Sequence, residues 1–308
     1  MTLSHSLGRG EARTAQSSAN LRVHWGSAPF IARIMPPSAP ITSKSNARVK
    51  ALRASFSGKA SQPGDLLGLE GEHLIAEALR SGLTLETLFL REGSESVLQR
   101  PSLAGLEASS TLTLSRDVFA SAVETASPQG IAATVLIPTI PPPASRAQSI
   151  NLVLESLQDP GNLGTLLRSA EAFGVQQIFL TPDTVNQWNP KVVRASAGSV
   201  FRIPIIRAPL AQIAAQLAHQ GSTVYAAVAQ RLDSISLFEA HFASRIAFMI
   251  GNEGAGLSAT ALALAQARLH IPCAVESLNA AVAGSTLLYE ALRQRTQSRS
   301  SDLQSLHV

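Results

Sequence analysis

The sequence holds one cysteine, Cys273, among 308 residues, so no disulfide forms within the chain and a reducing compartment suits it. Metal-ligand patterns are missing as well. There is no HExxH or CxxC, and the histidines at positions 5, 24, 73, 219, 241, 270 and 307 are scattered, which leaves no ligand spacing for a metal site. No apolar run approaches the roughly 18–20 residues that span a bilayer, and the start lacks the continuous apolar centre of a secretory signal. Neither metal nor membrane is therefore an expected partner, and the expected location is the cytoplasm. Two nucleotide-binding fingerprints are absent too: no GxGxxG follows a strand, and no GxxxxGK precedes Ser or Thr, which argues against an ordinary Rossmann-type enzyme. With no motif around them, Cys273 is expected to be a small buried packing residue and His270 a packing or surface residue.

Acids are scarce where bases are not. From the start to Lys59 the chain carries Arg9, Arg13, Arg22, Arg33, Lys44, Arg48, Lys50, Arg53 and Lys59 against Glu11 alone, within a net charge of only +4. Such a stretch is either a solvated tail or a surface for a phosphate backbone. Residues 1–40 have no sustained period and end in PPSAP, and they read as a disordered basic prefix. An organelle transit peptide is one reading of it; the other places the natural start at Met35, directly before ITSKSNARVKALRA.

What is present is apolar material for real cores, with 45% hydrophobic residues and a mean hydropathy of +0.15. Over 41–138 the pattern predicts a small α/β unit. Its helices are expected at Ala47–Phe56, around Leu74–Leu79 before a stop at Gly82, and at Arg116–Glu124; its strands at Leu88–Arg91, Thr111–Leu114 and Ile131–Ile137. The proline-rich stretch 139–149 joins neither flank and reads as a linker. Beyond it strands and helices alternate, as in a parallel sheet covered on both faces. Strands are expected at Ile150–Leu154, Gln177–Leu180, Phe201–Ile206 and Thr223–Val228, with helices at Leu163–Phe173, Pro190–Ala197 and Leu210–His219. Residues 296–308 are expected to fray.

Three runs carry the chemistry. The first is LQDPGNLGTLLR, where Asp159, Pro160 and Gly161 form a turn, Asn162 is placed to cap a helix, and Gly164 admits a neighbouring backbone. The second is IAFMIGNEGAGLS: an apolar strand, Ile246–Ile250, opens into a loop with three glycines at 251, 254 and 256, which permits close backbone approach. The third is RLHIPCAVESLNAAVAG, a strand at Leu269–Ile271 stopped by Pro272, a polar loop, then a helix. Two adjacent strands ending in such loops make a crevice, where open α/β sheets bind ligands.

Asn162–Arg168, Gly251–Ser258 and Ile271–Gly284 resemble, in order and spacing, the three signature motifs of the SpoU (TrmH) family of RNA ribose 2′-O-methyltransferases. Asn189–Ile205 resembles the family segment between the first two. The likeness covers about 150–293, and RVKALRA, EGEHLIAEAL and PQGIAA resemble the substrate-binding domain that often precedes it. The implied fold is α/β: a trefoil-knotted, parallel-sheet SPOUT methyltransferase domain (150–295) after a small α/β RNA-binding domain (41–138). The resemblance further implies S-adenosyl-L-methionine as cofactor and a homodimer with shared active sites. Backbone groups at Gly251, Ile271 and Leu278 would hold the cofactor. Arg168 would be the catalytic arginine, positioned with help from Asn162 and Glu253, while Ser277 and Asn279 organise the third motif. Family accounts make Arg168 a base; a guanidinium does not readily deprotonate, and a phosphate clamp that stabilises the developing alkoxide is the other reading. Arg48, Lys50, Arg53, Lys191 and Arg194 are candidate phosphate contacts.

The expected substrate is structured RNA, ribosomal ahead of transfer RNA. A non-catalytic RNA-binding or ribosome-assembly protein is the alternative from another class, and a resistance enzyme acting on ribosomal RNA would use the same chemistry. One departure stands out: only Cys273, Ala274, Val275 and Glu276 separate Ile271-Pro272 from Ser277-Leu278-Asn279, a shorter loop than the family's, and it bears on cofactor affinity.

Overall fold

Apolar runs set the strands, and their partners divide them into two sheets. A computed structural model describes residues 39–144 and 146–305, with side chains through residue 297. Most of the basic prefix, including Met35, lies outside the described residues.

The first sheet is built from α1 (Ala47–Ser55), β1 (Leu66–Glu70), α2 (Glu72–Arg80), β2 (Leu85–Arg91), β3 (Thr111–Leu114), α3 (Arg116–Ala122) and β4 (Ile131–Leu136). Strand order is β1-β4-β2-β3, with β4 antiparallel to both neighbours and β3 parallel to β2. β1 escaped the sequence reading because Gly68 interrupts its apolar run; a Cβ there would lie 2.6 Å from the Ser55 hydroxyl, so the glycine lets α1 sit against the strand. The proline-rich stretch 137–148 carries no helix or strand among its described residues.

The second sheet uses β5 (Ser149–Leu154), α4 (Pro160–Ala172), β6 (Gln177–Leu180), α5 (Pro190–Ala195), β7 (Ile205–Arg207), α6 (Leu210–His219), β8 (Thr223–Ala227), β9 (Ile235–Ser236), β10 (Arg245–Ile250), α7 (Ala259–Leu264), β11 (Ala267–His270) and α8 (Ala280–Ser305). Its seven strands run in the order β7-β6-β5-β10-β8-β11-β9, all parallel. β5 and β10 sit centrally and are buried almost throughout, as a sheet covered on both faces requires.

Four expectations need correction. The strand expected over Phe201–Ile206 is a 3-10 turn at Ser199–Phe201 followed by the short β7, because Pro204 has no N–H to give a ladder and Phe201 and Ile203 turn into the core instead. β10 and β11 are not neighbours: β8 lies between them. The stretch 296–308, expected to fray, is helical through its described residues as far as Ser305. Arg295 ties this helix down by donating to the Ser149 and Ser244 carbonyls at 2.8 and 2.9 Å. Asp159, not Asn162, caps α4: its carboxylate accepts from the Asn162 amide at 2.7 Å, with Pro160 at the first helical position, where a missing N–H costs nothing.

The two sheets are joined through side chains. Arg202 donates to Glu77 of α2 at 3.1 Å and to Ser81 at 2.8 Å, and it grips Glu171 of α4 with a bond of 2.8 Å and a second one. Asn186 donates to the Ala60 carbonyl at 2.7 Å.

Candidate active site

Three loops leave the C-terminal ends of β5, β10 and β11, and one hydrogen-bonded line ties them together. Asn279 donates from Nδ2 to Asn162 Oδ1 at 2.9 Å, and Asn162 donates from its own Nδ2 to Glu253 Oε1 at 3.0 Å. The amide orientations are forced. An ionised carboxylate only accepts, so Asn162 turns its NH2 to Glu253 and its oxygen to Asn279. Asn279 then has its own oxygen free for the Ala281 and Val282 amides at 2.9 and 3.2 Å, which caps α8. Because Asp159 does the capping at α4, the Asn162 side chain is released for this bridge.

Glu253 collects more than one donor. The Gln158 and Asp159 amides reach it at 3.3 and 3.2 Å. Burial works against its ionisation, yet the bonds from Asn162 and the backbone amides outweigh that and hold the carboxyl below the ordinary glutamate range. Asn252 closes the second loop: its backbone exchanges bonds with Gly256 at 3.0 and 2.9 Å, its oxygen takes the Gly254 and Ala255 amides, and its Nδ2 donates to the Ser156 carbonyl at 2.9 Å. Gly251 makes that ring possible, since a Cβ on it would lie 2.3 Å from the Gly256 backbone. Gly164 does the same for helix packing: its Cβ would lie 2.4 Å from the Ala195 Cβ and 2.8 Å from the Val192 carbonyl oxygen, so α5 presses directly on α4.

Glu155 and Ser258 are site residues that the sequence reading missed. The buried Glu155 carboxylate accepts from the Ser258 amide at 2.8 Å and hydroxyl at 2.6 Å, which fixes the far end of the second loop. The only available signal was an acid at a strand end, which is not specific.

The remaining expected residues are placed differently. Arg168 lies on the exposed ridge of α4 with Gly161, Thr165 and Ala172, six residues or about 9 Å of helix rise beyond Asn162. It bonds to no described residue, so neither Asn162 nor Glu253 positions it within one chain, and it is on a solvated flank. Ser277 is exposed and outside the bonded line, Ile271 and Leu278 are half-buried, and Gly251 is buried. Cys273 is exposed rather than packed, because the loop after Pro272 leaves the sheet and no core residue surrounds it; its Sγ meets the Val275 carbonyl at 3.2 Å. His270 is buried and hydrogen-bonded to Ser234 at 2.9 Å. Of the candidate RNA contacts, Arg48, Lys50 and Lys191 are exposed. Arg53 is engaged with the Ser121 carbonyl at 3.0 Å, and Arg194 with Glu124 at 3.2 Å.

The three-loop arrangement has relatives. The SpoU rRNA Methylase family matches residues 149–289 and the MRM3-like substrate binding domain matches residues 46–133. A protein of Synechocystis sp. named as an uncharacterized tRNA/rRNA methyltransferase is 40% identical over 268 residues, covering 83% of this chain and 94% of that protein. The chain belongs to the SpoU methyltransferase family. Another SpoU-type relative, the 23S rRNA (guanosine(2553)-2′-O)-methyltransferase RlmP of Bacillus subtilis, is 32% identical over 81% of this chain and 97% of its own length. The AdoMet-bound rRNA methyltransferase from Sinorhizobium meliloti superposes with a TM-score of 0.69 at 28% identity, covering 82% of this chain and 97% of that one. Within the SpoU framework the Asn162–Glu253–Asn279 line draws one residue from each signature motif.

Proposed function

We propose that this chain transfers the methyl group of S-adenosyl-L-methionine to a ribose 2′-hydroxyl in 23S-type ribosomal RNA, in the cytoplasm and as a homodimer. The bonded line through Asn162, Glu253 and Asn279 carries the reading, because it brings the three motifs to one place with every polar atom matched. The residues there suit the cofactor. Glu253, held ionised, complements a sulfonium; the loop from Gly251 to Gly256, closed by its own amide bonds, gives the site a wall of fixed shape; and Val275, exposed at 58%, offers apolar surface to a base. Gly251, Ile271 and Leu278 would bind it through their backbones. The cofactor supplies an activated methyl, and the protein's task is to align an oxygen with it.

Asn162, Glu253 and Asn279 act as positioning residues, and Ser277 sits where the third loop would meet substrate. Arg168 clamps a phosphate beside the target ribose and stabilises the alkoxide as it develops, while the proton leaves to phosphate or water. That Arg168 bonds to no described residue favours that role over a structural one. A second copy covers α8, where Val282 and Tyr289 are 52% and 57% exposed on the ridge beside α4, and it would complete the surroundings of Arg168. A chain end threaded as a trefoil knot accords with the return of Asn279, after β11, to Asn162, after β5, past the two intervening strands β10 and β8. Arg48, Lys50 and Lys191 supply phosphate contacts.

The test is transfer of labelled methyl to unmodified ribosomal and transfer RNA by the chain and by Arg168→Ala. Alkali-resistant ribose label on ribosomal RNA, lost in the variant, is the expected result. Absence of label together with absence of cofactor binding would leave a non-catalytic RNA-binding protein.

A further inference from the structure

A concavity lies away from the strand ends. It is a cleft of about 570 Å³ in the N-terminal sheet unit, within the range of small-ligand sites. Its floor is apolar, formed by Ala76 of α2 and Val97 of the turn Glu95–Gln99. Its walls are polar: Glu72 at the start of α2, Arg100 and Ser102 across from it, and Gln129 from the turn before β4. An apolar floor with convergent polar groups accommodates a flat ring with a hydrogen-bonding edge.

Glu72 is the organised group. Ser102 donates to one carboxylate oxygen and Arg100 to the other, while the Glu72 amide meets the Gln129 side-chain oxygen at 3.4 Å. The bonds from Ser102 and Arg100 hold the carboxyl below the ordinary glutamate range, so it is an acceptor without a proton at neutral pH. A carboxylate has about four lone-pair directions, and two are used. The pair left over suits a partner with two adjacent donors. Among the four RNA bases, only guanine shows an N–H and an NH2 side by side on its Watson–Crick edge. Arg100 and Arg80 at the rim, paired with Glu72 and Glu77, have further N–H donors to turn to the attached phosphates.

We propose that this cleft holds a single unpaired guanine of the RNA, its ring over Ala76 and Val97 and its Watson–Crick edge on Glu72. RNA is read in this way, through splayed-out bases in loops and bulges. The proposal rests on the RNA-modifying reading above and adds a second point of recognition to it. The two points are mechanically joined: five residues along α2 from Glu72, Glu77 is bonded to Arg202, which holds Glu171 on the helix that carries Asn162.

The experiment is fluorescence anisotropy of the full chain with labelled RNA hairpins that differ only in one bulged nucleotide: guanosine, inosine, adenosine, cytidine, uridine or none. The guanosine bulge is expected to bind about tenfold tighter than the unbulged hairpin, a gap of about 1.4 kcal/mol. Inosine, which lacks the 2-amino group, should lose most of that gain, and Glu72→Gln should bring guanosine to the level of the other bases. Equal affinity for all hairpins, or a guanosine preference that inosine and Glu72→Gln both retain, would overturn the proposal. The inosine arm does not depend on how the variant folds. Cofactor binding and methyl transfer are measured apart: transfer without guanine preference removes the cleft alone, and preference without transfer removes the enzyme reading alone.

Discussion

The bonded line at Asn162 and the loop 273–277 a few residues away are built on opposite terms. In the first, each side-chain nitrogen and oxygen has a partner inside the protein. In the second, every residue from Cys273 to Ser277 is exposed, and Arg168 likewise has no bond to any described residue. The contrast separates scaffold from contact surface. Residues that set the geometry are already satisfied, so changing them should cost stability; residues that would face cofactor or RNA under the proposed function are unsatisfied, so changing them should cost activity alone.

The largest break in that comparison is Gly251→Val. Its side chain would enter the space of the Gly256 backbone, and overpacking of this kind costs about 1–3 kcal/mol or more; thermal unfolding should show the loss and calorimetry should show no cofactor binding. Next is Asn162→Ala, which leaves Glu253 and Asn279 each short of a partner. A loss of about 1–3 kcal/mol is expected in denaturant unfolding; the share that belongs to the Asn162–Asn279 bond should vanish when Asn279→Ala is already present, while the share that belongs to the Glu253 bond should remain.

The acid side offers a sharper version. The folded value of Glu253 lies below its unfolded one, so its contribution is present above the ordinary glutamate pKa and is lost as pH falls through the folded value. The stability gap between the chain and Glu253→Gln should therefore be steady at neutral pH and shrink below about pH 4.3. A gap that widened on acidification would mean that the carboxyl is not stabilised as an anion. The smallest effect belongs to the contact surface: Cys273→Ser should change stability by less than about 0.5 kcal/mol, checked by the same unfolding curve.

Much of this division could be read from the chain. Alternating apolar runs and glycine stops marked most strands and helices, and the three motifs put Asn162, Glu253 and Asn279 in one reading before any contact was known. What stayed hidden was decided elsewhere in the fold. Asp159 and Asn162 are both good caps, and only the proline between them selects the first. Strand order is a long-range property, so nothing local to β10 or β11 announces that β8 lies between them. Glu155 looks like any acid after a strand until Ser258, far along the chain, comes back to it. Burial of Cys273 was expected from its residue type, but the loop around it has no core to offer.

The most direct test of the account sets Asn162→Ala beside Arg168→Ala, with unfolding temperature, cofactor binding and methyl transfer to ribosomal RNA measured on both. Arg168→Ala should unfold and bind cofactor as the unaltered chain does while transferring no methyl, and Asn162→Ala should lose stability and transfer together. If Arg168→Ala unfolded as early as Asn162→Ala, or still methylated RNA at the original rate, the separation of scaffold from contact surface would be wrong.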